Sequence, residues 1–179
     1  QSGISRLRFA DEVVYTLGYP RYRRLSAEKI SDEVWSEGSN GIEEIALTAD
    51  MLSTNAPSGR GEGLGNLVDG MPATYFHSTW SNDPLYEKLP EDEYPYISVA
   101  LTKPISALKF YYQSRIDSND RNPYAFRVYA SNDNVMWNEV AYFDESAGIP
   151  TVGAGVEFTS PIIDVNEEYR YWKFEQTAC

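Results

Sequence analysis

Histidine and cysteine each occur once in this 179-residue chain, as His77 and Cys179. That scarcity decides which chemistry is open. A Ser-His-Asp triad, a Cys-His pair or a multi-histidine zinc site would have to pass through His77. No G-x-S-x-G element accompanies it. Two roles remain for His77: a turn histidine hydrogen-bonded to backbone, or a donor to a sugar hydroxyl beside an aromatic side chain. Arg115 presents a similar choice. It precedes the polar run Asp117-Ser118-Asn119-Asp120-Arg121-Asn122. Its guanidinium either pairs with a carboxylate or grips vicinal sugar oxygens or a uronate with its planar fork. Trp80, Tyr86, Tyr94 and Tyr124 fall in loop-like stretches. There an aromatic ring with a polar edge suits the C–H face of a pyranose, and equally suits packing. Trp80, close to His77, is the best candidate platform; Trp137, after a turn, reads as core. Glycoside hydrolysis would need two carboxylates roughly 5–10 Å apart across a cleft. The acidic run Glu87, Glu91, Asp92, Glu93 is interrupted by Lys88 and Pro90 and reads as a solvated loop.

Charge narrows the field of partners. With 27 acidic and 15 basic residues the net charge is −12. Phosphate binding needs a cationic footprint, so nucleic acid is not an expected partner, and neither is anionic lipid through a basic patch. No apolar run approaches the roughly 20 residues of a membrane span. The opening residues Gln1-Ser2-Gly3-Ile4-Ser5-Arg6 lack the apolar core of a secretory signal; a mature chain or an excised piece would read the same way. A lone cysteine closes no internal disulfide. Aromatic residues stand out, with 14 Tyr, 7 Phe and 4 Trp, and strand surfaces account for most of them.

The elements that must position these residues read as short strands. Residues 1–36 carry Arg21, Arg23 and Arg24 and one possible helix, and Glu37-Gly38-Ser39-Asn40-Gly41 is a turn or linker. A soft boundary therefore falls near residue 40. Beyond it, short apolar pieces span 42–47 and 51–52, and a glycine-rich loop covers Asn55–Gly63. Alternation predicts strands over 96–101, 105–112, 125–131, 137–143, 155–158 and 169–174. Strands at this spacing, separated by turn residues, indicate an antiparallel sandwich or jelly roll. The long stretch Ser78–Pro95 is unusual for so compact a fold, and such loops tend to carry function.

Four pieces in this order resemble the discoidin family, also called the coagulation factor V/VIII C-type domain, which includes the family-32 carbohydrate-binding modules. They are Gly65-Asn66-Leu67-Val68-Asp69-Gly70-Met71-Pro72-Ala73-Thr74-Tyr75-Phe76-His77-Ser78-Thr79-Trp80; Tyr94-Pro95-Tyr96-Ile97-Ser98-Val99-Ala100-Leu101; Phe110-Tyr111-Tyr112-Gln113-Ser114-Arg115; and Phe126–Trp137. The resemblance covers about residues 45–175. It implies an all-β, eight-stranded antiparallel jelly-roll sandwich of the galactose-binding-like kind over residues 41–179, with residues 1–40 as an N-terminal extension or the end of a preceding domain. It also implies binding by the loops at one end of the sandwich, and a structural calcium ion at the Asp-Gly turn.

These implications set the expected site. The ligand-binding candidates are His77, Trp80, Tyr94, Arg115, Arg121 and Asn122, with a mono- or oligosaccharide as the partner. The calcium candidates are Asn66, Asp69, Met71 and Thr74. Met71 stands where the family often has Asp or Asn, and a final strand carrying a calcium-ligating Glu is not evident before Cys179, unless residues 1–40 supply it. The expectation is a non-catalytic carbohydrate-binding module of a secreted or surface bacterial glycan-utilisation protein. It would belong to a larger multidomain chain outside the cytoplasm: extracellular, at the cell surface or in the periplasm. A protein-interaction or adhesion domain with the same fold is the alternative, because fold alone does not fix function.

Overall fold

The computed structural model describes residues 3–11, 43–79, 84, 88–120 and 122–178. Within them the chain forms nine strands: β1 Gly3–Asp11, β2 Glu43–Ile45, β3 Leu52–Thr54, β4 Phe76–His77, β5 Tyr96–Ser114, β6 Ala125–Ser131, β7 Asn138–Phe143, β8 Glu157–Thr159 and β9 Ile163–Ala178. All pairings among them are antiparallel. Three short 3-10 turns, at Ala49–Met51, Leu64–Leu67 and Glu145–Ala147, are the helical content of these residues.

Strand β5 joins two layers. Its first part, Tyr96–Ala100, pairs with β9 from Tyr171 to Glu175, and at Ile97–Val99 also with β3. Its last part, Leu108–Ser114, pairs with β1 on one edge, and with β8 and the start of β9 on the other. Between these parts the register with β9 shifts, between Ala100 and Ile105. Pro104 sits in that interval. It has no N–H to give a ladder, so a strand tolerates it only at an edge or an irregularity. This explains why the sequence reads as two strands where the structure has one bent strand.

The two layers face each other across aromatic side chains. Phe110, on the second part of β5, lies 5.5 Å from Phe126 on β6, 5.9 Å from Phe143 on β7 and 5.0 Å from Phe174 on β9, ring centre to ring centre. None of these residues is its backbone neighbour in the sheet, so the contacts run from layer to layer, as in a sandwich. Phe110, Tyr112, Phe126, Val128, Trp172 and Phe174 are buried in this core. Trp137 differs from expectation. It is half-buried outside the core, with the Lys173 Nζ 4.8 Å from its ring, while Trp172 fills the interior.

Gly3–Asp11 lies within the segment assigned to the extension, yet it pairs with β5 from Ile4↔Ser114 to Asp11↔Leu108, and also with β2 and β4. An added strand was one of the roles open to residues 1–40, and residues 3–11 fill it. At the other end of the chain β9 runs to Ala178, and its second half, from Tyr171, pairs with β6. Phe110→Ala should cost about 3–5 kcal/mol of stability, the usual range for emptying a buried aromatic site. Urea unfolding checks this, and a loss below about 1 kcal/mol would show that the layers do not depend on this ring.

Candidate functional site

One end of the sandwich gathers the ends of several strands. Tyr112 Oη donates to the Pro123 carbonyl at 2.8 Å. Tyr124 N donates to Ala178 O at 3.0 Å, and Gln176 N to Pro95 O at 2.8 Å. Arg115 emerges here from the last residue of β5. Its own carbonyl accepts from Gly155 N at 2.9 Å, and Gln113 Nε2 donates to Gly155 O at 3.3 Å. Gly155 has φ +65°, and a Cβ built on it would lie 3.2 Å from Ile116 Cγ2. Only glycine sits there without strain, so this residue fixes where Arg115 leaves the sheet.

The Arg115 side chain is held on three sides. Nε donates to Asp117 Oδ1 at 2.7 Å and Nη2 to Asp117 Oδ2 at 2.8 Å, a two-pronged ion pair. Nη2 also donates to Tyr75 Oη at 2.9 Å, and Cζ stands 3.9 Å above the centre of the Tyr75 ring. The ion pair raises the Arg115 pKa and lowers that of Asp117. Burial raises the Tyr75 phenol pKa, against the opposing pull of Arg115.

Two residues on from Tyr75, in β4, is His77. Side chains two apart on an extended chain share a face, and the rings of Tyr75 and His77 meet edge to face at 6.3 Å. His77 Nδ1 bonds Glu62 Oε2 at 3.2 Å. A carboxylate accepts only, so Nδ1 carries the proton. Burial lowers the His77 pKa against the opposing influence of Glu62, leaving the ring neutral at pH 7. Glu62 belongs to the glycine-rich loop that runs beside the strand, with Gly59 N on His77 O and His77 N on Glu62 O. A Cβ on Gly59 would come within 2.6 Å of Glu62 Oε2. That glycine therefore leaves room for the carboxylate.

The structure brings His77 and Arg115 together through Tyr75. Trp80 and Arg121 lie outside the described residues, as does Tyr86. Asn122 is fully buried and donates through Nδ2 to Gly153 O at 3.0 Å, so it holds the loop that steers Arg115. Tyr94 is exposed, and its carbonyl accepts from Asn55 Nδ2 at 3.0 Å. Its sequence neighbours Glu93 and Pro95, with Pro57, Ser78, Thr79 and Leu89, line a cleft of about 280 Å³. Three members of the cluster, Tyr75, Glu62 and Asp117, were not candidates on sequence. Tyr75 carries a readable signal, its spacing of two from His77.

The Asp69 turn leads directly into Tyr75. Asp69 Oδ1 accepts from Met71 N at 2.7 Å, Oδ2 from Thr74 Oγ1 at 2.6 Å, and Gly70 adopts φ +75°. Thr74 Oγ1 also lies 2.9 Å from Met71 O. The oxygens of Asp69, Met71 and Thr74 thus lie within hydrogen-bond reach of one another; calcium takes six to eight oxygen ligands, so a bound ion would need further ligands beyond these. Asn66 also ties segments together. Its amide donates to Gly61 O at 2.7 Å and to Tyr75 O at 2.9 Å, tying the Glu62 loop to the Tyr75 strand. Among the described residues no group of three or more His, Cys, Asp or Glu is placed to hold a metal ion.

Comparison with known proteins fits this architecture. The sequence profile of the F5/8 type C domain matches residues 51–170. Among solved structures, CBM32-3 from a family 31 glycoside hydrolase of Clostridium perfringens superposes with a TM-score of 0.54 at 18% identity, covering 73% of this chain and 81% of that one. CpGH89CBM32-5, also from Clostridium perfringens and in complex with GalNAc-beta-1,3-galactose, superposes with a TM-score of 0.51 at 19% identity, covering 75% and 90%. No curated protein sequence matches. At these identities the structural neighbours speak for the fold alone. The profile match runs from the start of β3 into β9 and takes in Tyr75, His77 and Arg115, and on it the chain belongs to the F5/8 type C, or discoidin, domain family.

Proposed function

We propose that this domain is a non-catalytic carbohydrate-binding module, with its site at the sandwich end where Arg115, Tyr75 and Glu62 meet. The observation that carries the reading is the Arg115 guanidinium stacked on Tyr75 beside two carboxylates. Sugar hydroxyls both donate and accept, so they match a surface with both kinds of group. In this reading Arg115 supplies N–H donors to vicinal sugar oxygens, Asp117 and Glu62 accept from sugar hydroxyls, and Tyr75 forms an apolar wall. His77, buried behind Glu62, is a positioning residue. One solved structure of this fold, CpGH89CBM32-5, is in complex with GalNAc-beta-1,3-galactose; in this reading the domain lies outside the cytoplasm as one part of a larger glycan-utilising protein.

The alternative, protein interaction, would favour an exposed apolar patch on this loop face. Among the described residues Val135 and Met136, at 74% and 73%, are exposed beyond Ser131, at the far end of β6 from Arg115, while Val152 at 70% and Ile116 at 48% are exposed in the loops beside Arg115. These last two give the alternative a small apolar surface on the loop face itself.

We further propose that a calcium ion held by Asp69, Met71 and Thr74 stabilises the turn that delivers Tyr75 and does not touch the sugar.

A glycan array, followed by calorimetry on the best hit, should show Arg115→Ala losing about 10- to 100-fold in affinity, the effect of removing a charged hydrogen-bond partner. Unchanged affinity would rule this site out. Affinity should hold level from pH 8 down to about 6.5, the ordinary histidine value, because His77 titrates below it. A fall between pH 8 and 7 would contradict a neutral His77. Chelator should lower the melting temperature by a few degrees, as expected for a loss of about 1 kcal/mol in a domain this size, while glycan affinity holds. An identical melting curve with calcium and with chelator would remove the ion from the account.

A further inference from the structure

The manner in which Arg115 is held bears on which sugars fit. A guanidinium offers a carboxylate two planar edges, one through Nε and an Nη, the other through both Nη atoms. The Nε–Nη2 edge is occupied by Asp117, at 2.7 and 2.8 Å. The other edge is half occupied, because Nη2 also donates to Tyr75 Oη at 2.9 Å. Of the five N–H donors, those on Nη1 have no hydrogen-bond partner among the described residues. They can serve a hydroxyl, which asks for single hydrogen bonds, but not the paired grip of a carboxylate.

Charge points the same way. Among the described residues the cluster contains one cation, Arg115, and two carboxylates, Asp117 and Glu62, with His77 neutral. Its balance is negative, within a chain of net charge −12. Asp117 is half exposed at 49% and Glu62 at 26%, so both face an arriving ligand. A sugar carboxylate would meet like charge and find the arginine taken, whereas a neutral sugar would meet acceptors for its hydroxyls. Specificity of this kind comes from building repulsion against the wrong ligand.

We propose that Asp117 is the specificity-determining residue of the site, engaging Arg115 so that the domain takes neutral sugars and turns away carboxylated ones. This rests on the reading of the cluster as a glycan site. Asp117→Asn keeps the shape and one acceptor oxygen but removes the charge and loosens the ion pair, and should open the site to uronates.

The test is an array of matched pairs, each a neutral oligosaccharide and its uronate counterpart: galactose with galacturonate, glucose with glucuronate, mannose with mannuronate. Calorimetry on the best pair follows. The wild type should bind the neutral member at least about 10-fold more tightly than the acidic one, and Asp117→Asn should gain about 10-fold on the acidic member. Glu62→Gln should shift the ratio in the same direction, and serves if Asp117→Asn melts early. Equal wild-type affinity for both members, or a ratio unchanged in the folded variants, would overturn the inference while leaving the glycan site standing. Absence of wild-type binding to either member of any pair would remove the glycan reading, and this inference with it.

Discussion

Strand β5 has both backbone edges paired, and from Ala107 to Tyr112 every side chain is buried, whichever face it points to. That segment is fixed by hydrogen bonds on either side and packing above and below. Its in-facing residues, Leu108, Phe110 and Tyr112, belong to the core that joins the layers. Burial pushes the Tyr112 phenol pKa well up, so it stays protonated and donates to Pro123. Arg115 follows directly from this segment. A flexible arginine becomes a placed one because the backbone that carries it continues the most constrained strand in the molecule.

The site is assembled on that constraint by short polar ties. Gly155 and Gln113 hold the backbone around Arg115, Asn122 holds the loop beyond it, and Asn66 links the two segments that bring Glu62 and Tyr75. Asn122 is itself buried, and its bond to Gly153 O satisfies an amide N–H that would be costly to leave unpaired. The result is a row of Arg115, Tyr75 and His77, with Asp117 and Glu62 beside it. Preorganisation of this sort matters for a ligand as hydrated as a sugar, whose binding leaves little surplus after ordering side chains. The ion pair that positions Arg115 also occupies it, so geometry and selectivity rest on the same carboxylate.

Much of the fold was legible because its strands alternate. β6 matches its expected bounds of Ala125–Ser131, and the two predicted pieces at 96–101 and 105–112 merge into β5. β1 was harder to read. Leu7 and Phe9 alternate over too few residues to separate a strand from a possible helix, and the pairing that secures it is to residues about a hundred positions away. The Trp137 error has a similar origin. β7 begins one residue later as a mostly exposed edge strand, and its neighbour stays half outside.

In the site, His77 and Arg115 stood out by rarity and by position at an element's end. Asp117, Glu62 and Tyr75 did not, because common residue types gain meaning only from who faces them. The Arg115–Tyr75 bond spans 40 positions in sequence. Asn66, a calcium candidate on sequence, also ties two segments through Nδ2, a role that shows only in the fold.

The central claim is that a glycan contacts the row built on the end of β5. Titrating isotope-labelled protein with the best array hit and following backbone amide shifts by NMR tests it most directly. The account predicts that the largest shifts fall at Tyr75, His77, Arg115 and Asp117 and fade along β5 toward Pro104. Shifts gathered instead at Val135 and Met136, or on the outer face around Lys173 and Trp137, would contradict it.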